Sequence, residues 1–304
     1  MKLSITLLGW AATFVASFSP NAVARSLPLE PAVLVRQIAV PAVREPVLVS
    51  TVDPARLKLR SSSLLVLDQP KAKILVARNA ETVRPIASIT KLMTAMVVLD
   101  SRLPMERLLT IAKTDIDTLK GTHSRLQLGT RLSRRELLRL ALMASENRAA
   151  SSLAHAYPGG FSAFVRAMNR KAQALAMSHT HFVDATGLSQ QNVSTARDLA
   201  RMVMAAHGYP LIREFTTTAS HAVRVHRGSA PLLFKNSNRL VQTHSKDWQI
   251  GVSKTGYTSE AGRCLVMHAK IGQRPVIVVL LNSWGKLTPI GDANRIRRWM
   301  ETHS

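Results

Sequence analysis

The chain has 304 residues, 46% of them hydrophobic, which is too apolar for a disordered tail and enough for one large domain or two small ones. Lysine and arginine number 41 against 18 acidic residues, a formal net charge of +23, which points to an anionic partner. A single cysteine excludes an internal disulfide framework and any cysteine-based zinc site, and 5% aromatic residues give little support for a base-stacking surface.

The first segment has the layout of a cleaved secretory signal peptide. Lys2 is followed by the uncharged run Leu3 to Phe18, then Pro20, then Ala22-Val23-Ala24 as a small-x-small cleavage site. The run holds 16 residues, short of the ~20 needed to cross a bilayer. Residues 1–24 are therefore expected to be removed on export to the periplasm. An exported chain rarely meets chromosomal DNA, so nucleic acid is not the expected partner. The charge then suits cell-envelope polymers, carboxylate-rich peptides or anionic lipid headgroups. Residues 25–60 carry Pro28, Pro31, Pro41, Pro46 and Pro54 and read as an arm or linker.

The main domain is expected over 61–304. Ser63 to Leu67 and Ile74 to Ala77 flank the polar turn Asp68-Gln69-Pro70-Lys71 and predict a β-hairpin. Ile89 to Leu99 is apolar at helical spacing. Ser133 to Glu136 is a capping box ahead of Leu137, Leu138 and Leu140. Phe161 to Met177 and Thr195 to Ala206 have the same period, with Ser194 as a cap for the second. Cys264 to Ala269 and Val276 to Asn282 predict strands around a turn at Ile271 to Arg274. A last helix over Pro289 to Thr302 is basic enough to touch anionic lipid. This order predicts an α+β fold: an antiparallel sheet built from both ends, covered by helices, with a mainly helical insertion over about 100–235.

Three short motifs carry chemistry. Ser88 and Lys91 are three residues apart at a helix start, where Lys91 can take the proton of Ser88 if it is held neutral. Ser145 and Asn147 follow an apolar helix, where Ser145 can relay a proton and Asn147 can pair with a substrate amide. Lys254-Thr255-Gly256, followed by Tyr257, precedes an apolar strand. There a lysine and a hydroxyl suit a carboxylate, and glycine permits close approach of a ligand backbone. Each motif alone is weak: a serine caps helices, and polar tripeptides start strands. His179 and His181 have no third ligand at metal spacing and read as surface. No metal and no cofactor is expected, and Cys264 reads as a buried small hydrophobe.

Ser-x-x-Lys, Ser-x-Asn and Lys-Thr-Gly in this order are the signature set of the penicillin-recognising serine peptidases and class A β-lactamases. The chain resembles the low-molecular-mass penicillin-binding proteins, the serine D-Ala-D-Ala peptidases, from about Ser63 to Trp284. Residues 85–95, Asp184 to Ser189, Ser194 to Ala200 and Lys235 to Leu240 add to the likeness. The resemblance implies that Ser88 attacks a D-Ala carbonyl, Lys91 accepts its proton, and Ser145 passes a proton to the leaving amine, aided by Lys254. It also implies that Asn147 holds the substrate backbone and that Thr255 meets a carboxylate. The backbone N–H groups of Ser88 and Tyr257 would form an oxyanion hole beside Gly256. Lys91 and Lys254, facing one cleft, are expected to depress each other's pKa.

The partners implied are peptidoglycan stem peptides and covalent β-lactam inhibitors. Between Arg148 and Ser253 no acid stands in the Glu-x-x-Leu-Asn context of a β-lactamase, so a stable penicilloyl-enzyme is expected. The carboxypeptidase branch usually adds a C-terminal β-domain and an anchor helix, whereas the 48 residues after Gly256 are expected to form the closing strands and one helix. Leu119 to Leu126 resembles the endopeptidase branch, penicillin-binding proteins seven and eight. Hydrolysis of D-alanyl-diaminopimelate cross-links is thus the expected activity. The alternatives are D-Ala-D-Ala carboxypeptidase activity and a non-catalytic basic envelope-binding protein.

Overall fold

The computed structural model describes residues 52–225, 230–243 and 248–303. The signal segment and residues 25–51 of the arm lie outside them. The hairpin forms as expected from β1 (Ser61–Asp68) and β2 (Lys73–Arg78). After β3 (Arg84–Pro85), a 3-10 turn at Ala87–Ile89 runs straight into α1 (Thr90–Asp100). The middle of the chain holds β4 (Leu108–Thr110), β5 (Arg131–Ser133), α2 (Arg134–Met143), α3 (Asn147–His155) and α4 (Gly160–Ala174). It continues through β6 (Val193–Ser194), α5 (Ala196–His207), α6 (Pro210–Thr217), β7 (Ser220–Val223), β8 (Leu232–Lys235) and α7 (Arg239–Gln242). The long strands β9 (Gln249–Thr258), β10 (Gly262–Ile271) and β11 (Arg274–Ser283) follow, and α8 (Thr288–Thr302) closes the domain.

The main sheet has the order β2-β1-β11-β10-β9, with every pair antiparallel. Both ends of the domain meet in its middle, where Ser61 stands opposite Ser283 and Asp68 opposite Val276. The region between the ends carries three two-stranded ribbons, β3-β6, β4-β5 and β7-β8, among its helices.

Alternation along the strands divides the core in two. Leu65, Leu67, Val266, Ile277, Val279 and Leu281 join Leu92, Met96, Leu199 and Met202 on one face. Leu64, Val66, Leu265, Met267, Val278 and Leu280 join Ala293, Ile296 and Met300 of α8 on the other. With both faces covered, these strands read in the sequence as continuous apolar runs rather than alternating ones.

Local capping follows the side chains with two corrections. Ser133 Oγ accepts from Glu136 N at 3.2 Å and starts α2, but the reciprocal half of the box is replaced. Glu136 instead pairs with His221 at 2.7 Å and with Arg139 at 3.5 Å. Helix α5 is capped by Thr195, whose Oγ1 accepts from Asp198 N at 3.1 Å, and not by Ser194. Ser194 is committed to β6, and its hydroxyl pairs with Thr180 Oγ1 at 2.7 Å.

The start of the domain is pinned to its end by Asp292, a fully buried carboxylate on α8. It accepts from Arg60 N at 3.0 Å, Ser61 N at 2.7 Å and Ser61 Oγ at 2.6 Å, and pairs with Arg295 at 2.5 Å. Leu59, at the end of the proline-rich segment, is buried in the α8 core. Removing a buried charge while its donors stay costs about 3–5 kcal/mol. Asp292→Ala is expected to lose stability on that scale in urea unfolding. A loss below roughly 1 kcal/mol, the net worth of an ordinary hydrogen bond, would mean that Asp292 does not hold the two ends together.

Candidate active site

The three motifs come from distant segments and meet at the β9 edge of the sheet. Ser88 lies in the 3-10 turn and Lys91 in the first turn of α1, and in a 3-10 turn residues i and i+3 eclipse. Lys91 Nζ is 2.9 Å from Ser88 Oγ. Ser145 sits in the sharp turn between α2 and α3 at φ 62°, a left-handed backbone that aims its hydroxyl at the site. Ser145 Oγ accepts from Lys254 Nζ at 2.8 Å. Asn147, expected in a loop, is the first residue of α3, with Glu146 as its cap. Lys254, Thr255 and Gly256 lie inside β9 rather than ahead of a strand, because the polar residues of an edge strand hide its extent.

Six of the predicted residues line one cleft of about 360 Å³: Ser88, Ser145, Asn147, Thr255, Gly256 and Tyr257. Lys91 and Lys254 reach it from the buried side; both are essentially inaccessible to solvent. Gly256 eases this approach, since a Cβ there would lie 3.1 Å from Ser88 N and 3.1 Å from Ala87 Cβ, a tight contact that would make the Ser88 turn give by a few tenths of an ångström. Tyr257 is exposed, and the Arg263 guanidinium stacks 4.3 Å from its ring centre.

Burial sets the electrostatics. Taking the Lys91 ammonium out of water pushes its pKa down to about 7, against the upward pull of Asp184, Glu146 and Asp117. Burial also takes Lys254 well below its ordinary value, with the charge of Lys91 as a second cause. The expected mutual depression of the two lysines therefore holds in one direction; Lys91 owes its shift to desolvation. Cys264 is buried, and burial pushes its thiol up to about 11, so it carries no nucleophile.

The hydrogen bonds around Lys91 matter for its chemistry. Besides Ser88, Nζ donates to Asn147 Oδ1 at 2.7 Å and to the Thr186 carbonyl at 2.7 Å. Both are pure acceptors. A neutral amine has two N–H groups for these two partners and one lone pair left over, which faces Ser88 Oγ. In its neutral form such an amine can take a proton from the serine.

Several positioning residues carry no signal of their own in the sequence. Asn147 Nδ2 donates to Thr122 Oγ1 at 3.0 Å, and Asp117 accepts from Thr122 N and Oγ1 at 2.8 and 2.7 Å. The loop that presents Thr186 is built on Asp184, which accepts from Thr186 N and Gly187 N at 2.6 Å and from Ser189 N at 2.9 Å. Thr94 Oγ1 ties Ala185 O to α1 at 2.6 Å. Thr255 Oγ1 donates to Ser237 Oγ at 2.7 Å, which leaves the Ser237 proton free for a ligand. Asp184, Thr186, Thr122 and Ser237 all lie in segments that resemble family scaffold, and that was the one available signal. His179 and His181 are exposed, and among the described residues no group of three potential ligands could hold a metal.

A serine and a buried lysine on one helical turn, opposite a second pair made by a serine of an interhelical turn and a lysine of an edge strand, define a serine peptidase of the penicillin-recognising fold. The crystal structure of the Streptomyces K15 DD-transpeptidase matches this chain with a TM-score of 0.73 and 28% identity, covering 79% of this chain and 97% of that one. The family model for D-alanyl-D-alanine carboxypeptidase matches residues 49–285, and the chain belongs to that family of serine peptidases. A D-alanyl-D-alanine endopeptidase of Pseudomonas aeruginosa is 51% identical over 249 residues, 82% of this chain and 80% of that protein. Another, from Escherichia coli, is 46% identical over 245 residues, 81% and 78% of the two chains.

Gly187 tests how closely the Thr186 loop is fitted. A Cβ at Gly187 would stand 1.9 Å from the Ala87 carbonyl oxygen, and its φ of 82° is left-handed. Gly187→Ala must push the loop and the Ser88 turn apart. Misplacing a reacting group by about 1 Å costs ~100-fold in rate. Fluorescent penicillin labelling of the variant is expected to slow by about that factor. Labelling at the parent rate would mean that the loop is not a positioning device.

Proposed function

We propose that this chain is an exported serine endopeptidase that hydrolyses D-alanyl-diaminopimelate cross-links of peptidoglycan through an acyl group on Ser88. The chemistry is carried by one observation: Lys91 is buried, and two pure acceptors leave its lone pair for Ser88. Endopeptidase rather than carboxypeptidase activity is supported by the relatives. Three named endopeptidases are 51%, 46% and 34% identical, whereas named carboxypeptidases of Bacillus subtilis and Streptomyces are 29% and 32% identical.

In this mechanism the Ser88 proton passes to Lys91 as Oγ bonds to the D-Ala carbonyl carbon. The oxyanion is held by the backbone N–H groups of Ser88 and Tyr257, each donor of such a hole being worth about 3–4 kcal/mol. The C–N bond breaks as Ser145 gives its proton to the leaving amine; Lys254 returns one to Ser145 and regains it from the proton that Lys91 took from Ser88, so both lysines end as they began. Asn147 holds the acyl strand, and Thr255 with Ser237 receives the carboxylate beside the broken bond. Water then adds to the Ser88 ester and releases the acid and the free serine. A β-lactam follows the same first step. Asp184, the acid with the largest charge effect on Lys91, is engaged by loop hydrogen bonds, which favours a long-lived penicilloyl-enzyme. The place of action is the periplasm, in keeping with the signal layout of residues 1–24 and with a substrate that lies outside the cytoplasm.

The deciding measurement uses the protein without residues 1–24 on a muropeptide dimer whose acceptor stem still ends in D-Ala-D-Ala, read by mass spectrometry. Two monomers are expected. Loss of one D-Ala with the dimer intact would make the chain a carboxypeptidase. Ser88→Ala is expected to abolish both cleavage and penicillin labelling. Lys91→Arg is expected to do nearly the same, because guanidinium does not deprotonate; normal turnover would remove Lys91 as the base.

The base works when neutral. With Lys91 near 7, kcat/KM is expected to rise with pH through a midpoint about there and to fall away below it as Nζ is protonated. A flat profile between pH 5.5 and 8.5 would assign the proton to another group.

A further inference from the structure

The cleft does not end at Thr255. It continues along Tyr257, Arg263 and Lys286 to Leu287, Pro289 and Ile290 at the start of α8. In the sheet register Tyr257 on β9 stands opposite Arg263 on β10, and Arg263 opposite Ser283 on β11, three residues before Lys286. The wall therefore crosses two strand spacings, about 10 Å. A single D-Ala leaving group extends only about 3.5 Å and would use little of it.

The wall has two chemistries. Arg263 is held in place by stacking on Tyr257, Lys286 is exposed, and among the described residues neither has a carboxylate within ion-pair distance. Leu287 is 49% exposed and continues into Pro289 and Ile290, an apolar strip beside the two cations. The residues of the wall contribute no carboxylate, so the ligand it fits is an anion with an aliphatic stretch. Diaminopimelate within a stem peptide has this character: a carboxylate beside the amine that forms the cross-link, three methylenes, then the rest of the peptide with its own carboxylates.

We propose that this wall is the subsite for the amine-side stem peptide of the cross-link, the strand that leaves when the bond to D-Ala breaks. Arg263 and Lys286 hold its carboxylates, and Leu287, Pro289 and Ile290 pack its methylene chain. The identity of the ligand rests on the cross-link cleavage proposed above, while its seating is a separate property that binding alone reads out. The wall is then a specificity device: it contributes most for a long anionic leaving strand and least for free D-Ala.

Calorimetry on the Ser88→Ala protein separates the two. A cross-linked muropeptide dimer is expected to bind at least tenfold tighter than a pentapeptide monomer. Arg263→Gln with Lys286→Gln is expected to bring the two ligands within threefold. A control pair at exposed sites outside the cleft, Arg166→Gln with Arg298→Gln, removes the same charge and is expected to leave the ratio unchanged. Should the double variant lose thermal stability, the exposed Lys286→Glu alone is expected to lower the ratio at least threefold. Equal affinities in the parent, or a ratio that survives both Arg263→Gln/Lys286→Gln and Lys286→Glu, would overturn the subsite. A dimer bound through the wall yet not cut by the Ser88 protein would keep the subsite and remove cross-link hydrolysis. A dimer cut efficiently with no preference in binding would do the reverse.

Discussion

The site depends on one constraint: an amine of lysine held out of water between a serine hydroxyl and two oxygens that can only accept. Burial alone would make Lys91 a costly guest, because a charged ammonium in an apolar interior has lost its hydration. Neutralisation removes most of that cost. The two acceptors, Asn147 Oδ1 and Thr186 O, then decide how the neutral amine is oriented. Its lone pair has one direction left. Ser88, Asn147 and Thr186 come from three separate segments, and the fold around the site brings them to one nitrogen.

The surrounding acids keep that nitrogen useful. Asp184, Glu146 and Asp117 draw the Lys91 pKa upward while burial draws it down, and the balance falls near neutrality. A stronger base would be protonated at working pH, and a weaker one would not take a serine proton. The same carboxylates have a second task. Asp184 and Asp117 gather the backbone N–H groups of their own loops, so each loop that presents a partner to Lys91 or Asn147 is organised around a charge that also tunes the lysine. Geometry and electrostatics are therefore set by the same atoms.

Lys254 has a simpler environment. Buried on the edge strand and repelled by Lys91, it donates to Ser145 Oγ and to its own neighbour's carbonyl, Thr255 O. Two lysines with lowered pKa values thus stand in one cleft, each beside a serine hydroxyl, as the proposed proton transfers require. The rest of the cleft lining is neutral polar, cationic or apolar, with no carboxylate among its residues. That suits a protein whose charge is +23 and whose family acts on peptides.

Much of this was legible in the order of residues. Apolar spacing placed the hairpin, α1, α2, α5 and the last strands within a few residues, because each is a local pattern dictated by a backbone period. The contact of Ser88 with Lys91 was legible too, since a spacing of three on one helical turn is a short-range relation. The extent of β9 was not, because polar residues on an edge strand carry no alternation. Thr195 displaced Ser194 as the cap of α5 because β6 claimed Ser194 for its pairing with β3. What only the tertiary structure decided was the state of Lys91. Sequence supplies a lysine beside a serine. Its burial, its acceptors at Asn147 and Thr186, and the acids that hold it near neutrality lie 26 to 95 residues away along the chain. A pKa depends on distance in space, which no local pattern encodes.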